Sequence, residues 1–145
     1  MLKICLLTHE HLDGVYEIEL ACFSEPWSRK SLELLCSDGG LGVVILDGER
    51  VVAYGGMTCV LDEGAVTNIA VLPEFRRQGM GRAIVKALKA EAQKRGISSV
   101  FLEVRESNAT ARELYLSEGF LECGKRKGFY RHPSEDAIQM VYKFD

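Results

Sequence analysis

Val71-Leu72-Pro73-Glu74-Phe75-Arg76-Arg77-Gln78-Gly79-Met80-Gly81-Arg82 decides how this chain is read. An apolar run ends at Leu72, Pro73 stops it, and a helical pattern opens at two glycines spaced by two. Downstream, Met80, Ile84, Leu88 and Ala92 step by four along one face. That spacing predicts a helix over 79–95, closed by Gly96 as a C-cap. A helix start leaves several backbone N–H groups unpaired and carries partial positive charge. Glycines let a ligand approach that backbone, and Arg76, Arg77 and Arg82 add formal charge. Strand, turn and helix together read as an anion site suited to a diphosphate. A solvated basic turn before a glycine-softened helix start is the competing reading. The stretch is not a P-loop, because no Gly-Lys-Ser/Thr follows. It is not a dinucleotide fingerprint either, because GxGxxG lacks its third glycine.

Working outward, the pattern predicts strands over 3–7, 42–46, 51–60, 65–72 and 99–104, and two more near 120–126 and 137–143. Thr8 and Ser28 stand where N-caps open two helices, the first running to about Cys22 and the second through Leu35 and Cys36, with Gly39-Gly40 beyond it. Asp47-Gly48 marks a hairpin turn. Gly55-Gly56 inside a strand predicts a bulge or a close backbone approach. A further helix spans 109–118, with Asn108 before it and Gly119 after it. The order β-α-α-β-β-β-α-β-α-β-β is an α/β domain with one mixed sheet of about seven strands and about four helices. No repeat, low-complexity segment or linker divides residues 1–145, so a single domain is expected.

The composition excludes several classes. With 145 residues, 47% hydrophobic and 27% charged, the chain is of ordinary globular type. A net charge of −3 argues against a broadly basic nucleic-acid surface. No run approaches a membrane span or the core of a signal peptide. Cys5, Cys22, Cys36, Cys59 and Cys123 are odd in number, scattered and without a CxxC, which reads as reduced thiols in a cytoplasmic protein. His9, His11 and His132 read as surface residues, and no Cys/His cluster has zinc spacing, so no metal is expected.

Arg76-Arg77-Gln78-Gly79-Met80-Gly81 resembles the R/Q-x-x-G-x-G/A signature of the GNAT acyltransferases, which bind acetyl-CoA. The similarity narrows further along the chain. Phe23-Ser24-Glu25-Pro26-Trp27-Ser28, Asn68-Ile69-Ala70-Val71, Leu102-Glu103-Val104-Arg105, Ser107-Asn108, Leu114-Tyr115, Gly119-Phe120 and Glu135-Asp136-Ala137-Ile138 look like the bacterial RimI-type enzymes. Those acetylate the N-terminal alanine of a small-subunit ribosomal protein, and the match runs in order over nearly the whole chain.

The resemblance implies roles. Backbone N–H groups from Arg77 through Gln78, Gly79, Met80 and Gly81 to Arg82 would hold the diphosphate, with Arg76 beside them. Ile69, Ala70 and Val71 would pair their backbone with the pantetheine arm on a splayed strand, and one N–H there would polarise the thioester. Asn108, otherwise an N-cap, would bond the same arm. Glu103 shares a strand face with Phe101 and could be solvated or catalytic; the resemblance makes it the general base. Tyr115 could be a core aromatic; the resemblance makes it the general acid. Trp27 and Tyr130 would line the acceptor groove. The family pattern Arg-x-Asn-Tyr-Tyr is here Arg126-Lys127-Gly128-Phe129-Tyr130, a departure that bears on acceptor preference.

Acyl transfer to an amine needs a neutral acceptor, a polarised carbonyl, a protonated leaving thiolate and aligned substrates. Other N-termini, lysines or small amines are alternative acceptors, and a non-catalytic acyl-CoA-binding module is the alternative outside enzymology. That module would not need Glu103 and Tyr115. The acceptor is expected to be a protein N-terminus, with no nucleic-acid or membrane partner, and a monomer suffices. A basic ribosomal protein would favour carboxylates near the groove.

Overall fold

A computed structural model of the chain describes residues 1–131 and 133–145. His132 lies outside the described residues. In chain order the elements are β1 (Leu2–Leu6), α1 (Leu12–Cys22), α2 (Arg29–Leu32), β2 (Gly40–Asp47), β3 (Arg50–Val60), β4 (Glu63–Val71), α3 (Met80–Lys94), β5 (Ser99–Arg105), α4 (Ala109–Ser117), β6 (Leu121–Arg131) and β7 (Ser134–Lys143). The strands form one sheet in the order β1-β2-β3-β4-β5-β7-β6. Every neighbouring pair is antiparallel except β4 and β5.

That central parallel pair is short. Glu63, Gly64 and Ala65 pair with Ser99, Val100 and Phe101, and no pairing continues beyond them. Just past that point β4 carries an extra residue. Met57 pairs with Val66 and Gly56 with Asn68, which leaves Thr67 bulged. A bulge bends its strand, and β4 leaves β5 here, opening a fork in the sheet.

The glycine pair of β3 sits opposite this bulge. A Cβ on Gly55 would come within 2.3 Å of Ile84 on α3, and one on Gly56 within 2.6 Å of Leu35. Both sheet faces are therefore pressed close at this level, which is the close approach that the glycines predicted. Met80, Ile84, Val85, Leu88 and Ala92 bury one face of α3. Leu12, Val15 and Ile18 bury α1, which packs on β3 and β4. Fully burying each such Leu, Ile or Val contributes roughly 1.5–3 kcal/mol.

Caps and turns follow the sequence closely. The Ser28 hydroxyl accepts from the Ser31 N–H at 3.1 Å, and Asn108 Oδ1 accepts from the Ala111 N–H at 3.1 Å. Gly96 and Gly119 close α3 and α4 with positive φ. Differences lie at the ends. Thr8 opens a short 3-10 turn, His9–His11, before α1 begins. The second helix tightens to a 3-10 turn, Glu33–Cys36, after its first turn. The last hairpin is longer than expected: β6 runs past 126 to Arg131 and β7 begins at Ser134 rather than at 137, because Lys127-Gly128-Phe129 reads as a loop and is a bulge within the strand. That strand is a sheet edge, where exposed charge discourages pairing with other chains.

Candidate active site

The turn from Arg77 to Arg82 takes the shape its glycines suggested. Gly79 is the N-cap of α3 with φ +80, and no side chain caps it. Ala83 N–H is the first to close the helical ladder, onto Gly79 O at 3.1 Å. The amides of Met80, Gly81 and Arg82 precede it at the positive end of a 15-residue helix. Arg77 also holds a left-handed backbone, φ +63, and with Gln78 and Gly79 it is exposed. Gly81 differs from Gly79. A Cβ there would meet only Leu114, at an ordinary 3.6 Å.

The two flanking arginines are committed within the fold. Arg76 Nε donates to Val71 O at 3.0 Å. Arg82 donates to Glu118 at 2.6 Å and to Ser117 Oγ at 2.9 Å. Glu118 is buried and also faces Lys86 and Lys89, which ties α3 to the end of α4. Burial opposes its charge, yet the bonds from Arg82, Lys89 and Lys86 prevail and hold its carboxyl below the usual range. In this arrangement the turn offers backbone amides more than arginine side chains to an anion.

The edge of β4 can be read from register. Leu72 N–H donates to Val52 O at 2.9 Å. Bonded pairs alternate in an antiparallel ladder, so Ala70 turns its polar groups to Tyr54, and Asn68 to Gly56. Ile69 and Val71 then turn theirs to the open side of the fork. Val71 O is used there by Arg76 and, at 3.6 Å, by the Cys22 thiol. Apolar side chains of Val66, Ile69, Val100, Leu102 and Phe120 line the fork below α3.

Across the fork, β5 alternates as its pattern required. Leu102 and Val104 are buried, while Phe101 and Glu103 are half-buried on the other face. Arg126 Nε lies 3.7 Å from Glu103 Oε1 and its guanidinium stands over the Phe129 ring. Tyr115 packs its ring on Phe120 with centroids 5.9 Å apart. Burial, with Tyr130 beside it, pushes the Tyr115 hydroxyl up to about 12. Burial also raises Tyr130; Arg105 opposes this, while Glu103 and Glu135 add to it. Tyr115, Tyr130 and Glu103 are thus brought into one neighbourhood. Arg105 lies over the Tyr130 ring at 4.3 Å and pairs with Glu135. Glu135 accepts the Ser107 N–H at 2.6 Å, a bond that heads the causes holding its carboxyl below the usual range.

Between Arg126 and Tyr130 the hairpin register shifts, and Lys127, Gly128 and Phe129 bulge outward. Gly128 has φ +64, and its N–H donates to Asp136 at 2.8 Å. The carboxylates near the hairpin do not form a bare acidic surface. Glu103, Glu106, Glu135 and Asp136 each face Arg126, Lys125 or Arg105.

Trp27 is half-buried on the loop between α1 and α2, and its N–H donates to Glu19 Oε1 at 2.8 Å. Glu19 was not legible as a functional residue. It reads as one more polar position of α1, yet it is fully buried and holds Tyr54 and Asn68 as well. Its spacing of four from Val15 and seven from Leu12, which puts it on the apolar stripe of α1, was the available signal. Among the described residues, no group of three or more His, Cys, Asp or Glu could hold a metal, and no helix is long and apolar enough to cross a membrane.

Comparison with known proteins adds four findings. The model of the acetyltransferase (GNAT) family matches residues 12–120. The chain is 38% identical over 143 residues to the [ribosomal protein bS18]-alanine N-acetyltransferase of Escherichia coli (strain K12), covering 97% of each. The enzyme of that name from Haemophilus ducreyi is 34% identical over 140 residues, covering 93% of this chain and 95% of the other. The crystal structure of the ribosomal-protein-S18-alanine N-acetyltransferase from Escherichia coli superposes with a TM-score of 0.91 at 37% identity, covering 99% of this chain and 94% of that one.

Proposed function

The chain belongs to the acetyltransferase (GNAT) family, and from that premise we propose that it transfers the acetyl group of acetyl-CoA to the N-terminal α-amine of ribosomal protein bS18, at alanine. The observation that carries the reading is the half-buried Glu103 of β5, with Tyr130 within electrostatic reach of both it and Tyr115, beside a fork to which Ile69 and Val71 of β4 turn their backbone. Full-length similarity to bS18-alanine N-acetyltransferases supports the acceptor. The reaction belongs in the cytoplasm, where ribosomal proteins and acetyl-CoA meet, with residues 1–145 acting as one domain.

The fold suits acetyl-CoA on its own evidence. The open amides of the Arg77–Arg82 turn fit a diphosphate. The open side of Ile69 and Val71 fits an extended amide-bearing arm, in the manner of an added strand. Ala70 contributes by holding that edge in place from its pairing with Tyr54. Asn108 uses Oδ1 as a cap, which leaves Nδ2 as its donor toward the arm. When bound, acetyl-CoA supplies an acyl carbon already activated as a thioester.

The protein's own residues do the rest. Glu103 takes a proton from the acceptor ammonium, directly or through a water. An α-amine titrates near 7.7–8.0, so the help required at neutral pH is modest. An N–H of Ile69 or Val71 donates to the thioester oxygen as charge grows there. The amine nitrogen forms the new C–N bond, the C–S bond breaks, Tyr115 gives its hydroxyl proton to the departing sulfur, and the proton left on the acylated nitrogen passes through water to restore the Tyr115 hydroxyl. Trp27 and Tyr130 flank the acceptor chain and hold it in line.

The test is turnover of purified protein with acetyl-CoA against three acceptors: a peptide carrying the bS18 N-terminus, a lysine peptide with a blocked N-terminus, and a polyamine. Thiol release with the first acceptor alone is expected. Equal or faster release with lysine or polyamine would refute the acceptor, and CoA binding without any transfer would refute the activity.

A further inference from the structure

Glu19 is the largest unexplained polar feature of the molecule. Its carboxylate is 0% exposed at the C-terminal end of α1. Among the described residues no basic side chain pairs with it. Burying a carboxylate without a cation is costly, and an apolar residue of similar size is commonly the more stable choice. Here three donors from three segments compensate: the Tyr54 hydroxyl on β3, Asn68 Nδ2 on β4 at 3.0 Å, and the Trp27 N–H at 2.8 Å. Two of those segments border the reaction. Asn68 directly precedes Ile69 on the fork edge, and Trp27 belongs to the loop placed at the acceptor. The same end of α1 is tied to β4 again by the Cys22 thiol, which donates to Val71 O.

We propose that Glu19 is a positioning residue, a buried clamp that fixes the Trp27 loop against β4 and so sets the acceptor amine in register with the thioester. The proposal rests on the peptide-acceptor reading above. Glu19 touches no reactant; it acts through Trp27 and Asn68. The Tyr54 hydroxyl serves as a constant donor, since burial and the nearby Glu19 charge hold its titration far above working pH.

The substitutions that test this separate clamp from packing. Glu19→Leu combined with Tyr54→Phe removes the acceptor and one buried donor while keeping apolar volume, and it releases Trp27 and Asn68. Tyr54→Phe alone leaves both ties. Glu19→Gln keeps an oxygen for Trp27, and Asn68 can turn its amide to match. The double variant is expected to raise KM for the bS18 peptide at least tenfold and to lower kcat. Its affinity for acetyl-CoA should stay within about threefold. Glu19→Gln and Tyr54→Phe should stay within about threefold on both substrates.

An unchanged peptide KM in the double variant, or equal losses for peptide and acetyl-CoA, would overturn the clamp. If the double variant does not fold, hydrogen exchange of the unsubstituted protein decides. The Trp27 amide should exchange at least a hundredfold more slowly than the same amide does in the unfolded chain. Exchange at the unfolded-chain rate overturns the clamp whatever the acceptor. Absence of peptide turnover by the unsubstituted enzyme overturns the acceptor reading instead.

Discussion

Gly128 shows how a single backbone angle accounts for a departure from the family pattern. Its φ of +64 lies where glycine rests without strain and asparagine is the next best tolerated residue. A Cβ at this position would meet nothing within 4 Å. The pattern's asparagine and this glycine are therefore two answers to one conformational demand. Gly128→Asn should keep peptide KM within a few-fold and stability within about 1 kcal/mol, whereas Gly128→Val should cost about 1–2 kcal/mol in denaturant titration. The two glycines of the anion turn divide in the same way. Gly81→Ala should leave CoA affinity nearly intact, because its Cβ finds room, while Gly79→Ala should weaken it, because φ is +80. Glu103→Gln and Tyr115→Phe should each lower kcat about 100-fold or more with folding unchanged, the low end for a lost general base or acid. Because Tyr115 keeps its proton up to about 12, kcat/KM should climb with pH as the α-amine loses its proton and show no fall before about pH 10.

Among the elements, the α3–α4 junction carries a distinct electrostatic signature. Glu118 lies buried among Arg82, Lys86 and Lys89. Its carboxyl is depressed in the folded state, so its contribution is complete above the ordinary glutamate range near 4.3 and is lost as pH falls below it. Glu118→Gln should cost about 1–3 kcal/mol at pH 7, measured by denaturant titration, and that deficit should shrink below pH 4. Element order was legible throughout because glycine, proline and capping residues mark almost every boundary. Boundaries failed where a glycine-containing bulge masked a strand, as at Lys127–Phe129, and where an α-helix tightened into a 3-10 turn near Leu35. The parts of the site carried by consecutive residues, such as the Arg77–Arg82 turn and the β5 alternation, were readable. Glu19 was not, since its partners Tyr54 and Asn68 are 35 and 49 residues away and only folding brings them together.

For the molecule as a whole, the sheet is divided. β1 through β4 form one part and β5, β7 and β6 the other, with pairing only from Glu63 to Ala65 against Ser99 to Phe101. The Gly55 and Gly56 contacts brace the first part from both faces. Gly55→Ala should therefore be felt well beyond its own site, at about 1–3 kcal/mol from overpacking against Ile84.

The division has a consequence for turnover. A ladder that lacks its middle rungs is open to completion by a chain lying in the gap, and under the proposed function that guest is consumed in every cycle. Loading should stiffen the protein and release should loosen it, so that catalysis and a partial melting of the sheet become one periodic motion. At CoA a hundred times its dissociation constant, the gain in stability is about 2.7 kcal/mol. Much of it should appear as slowed exchange of the Ile69 and Val71 amides, the two rungs that the chain leaves for its substrate to close.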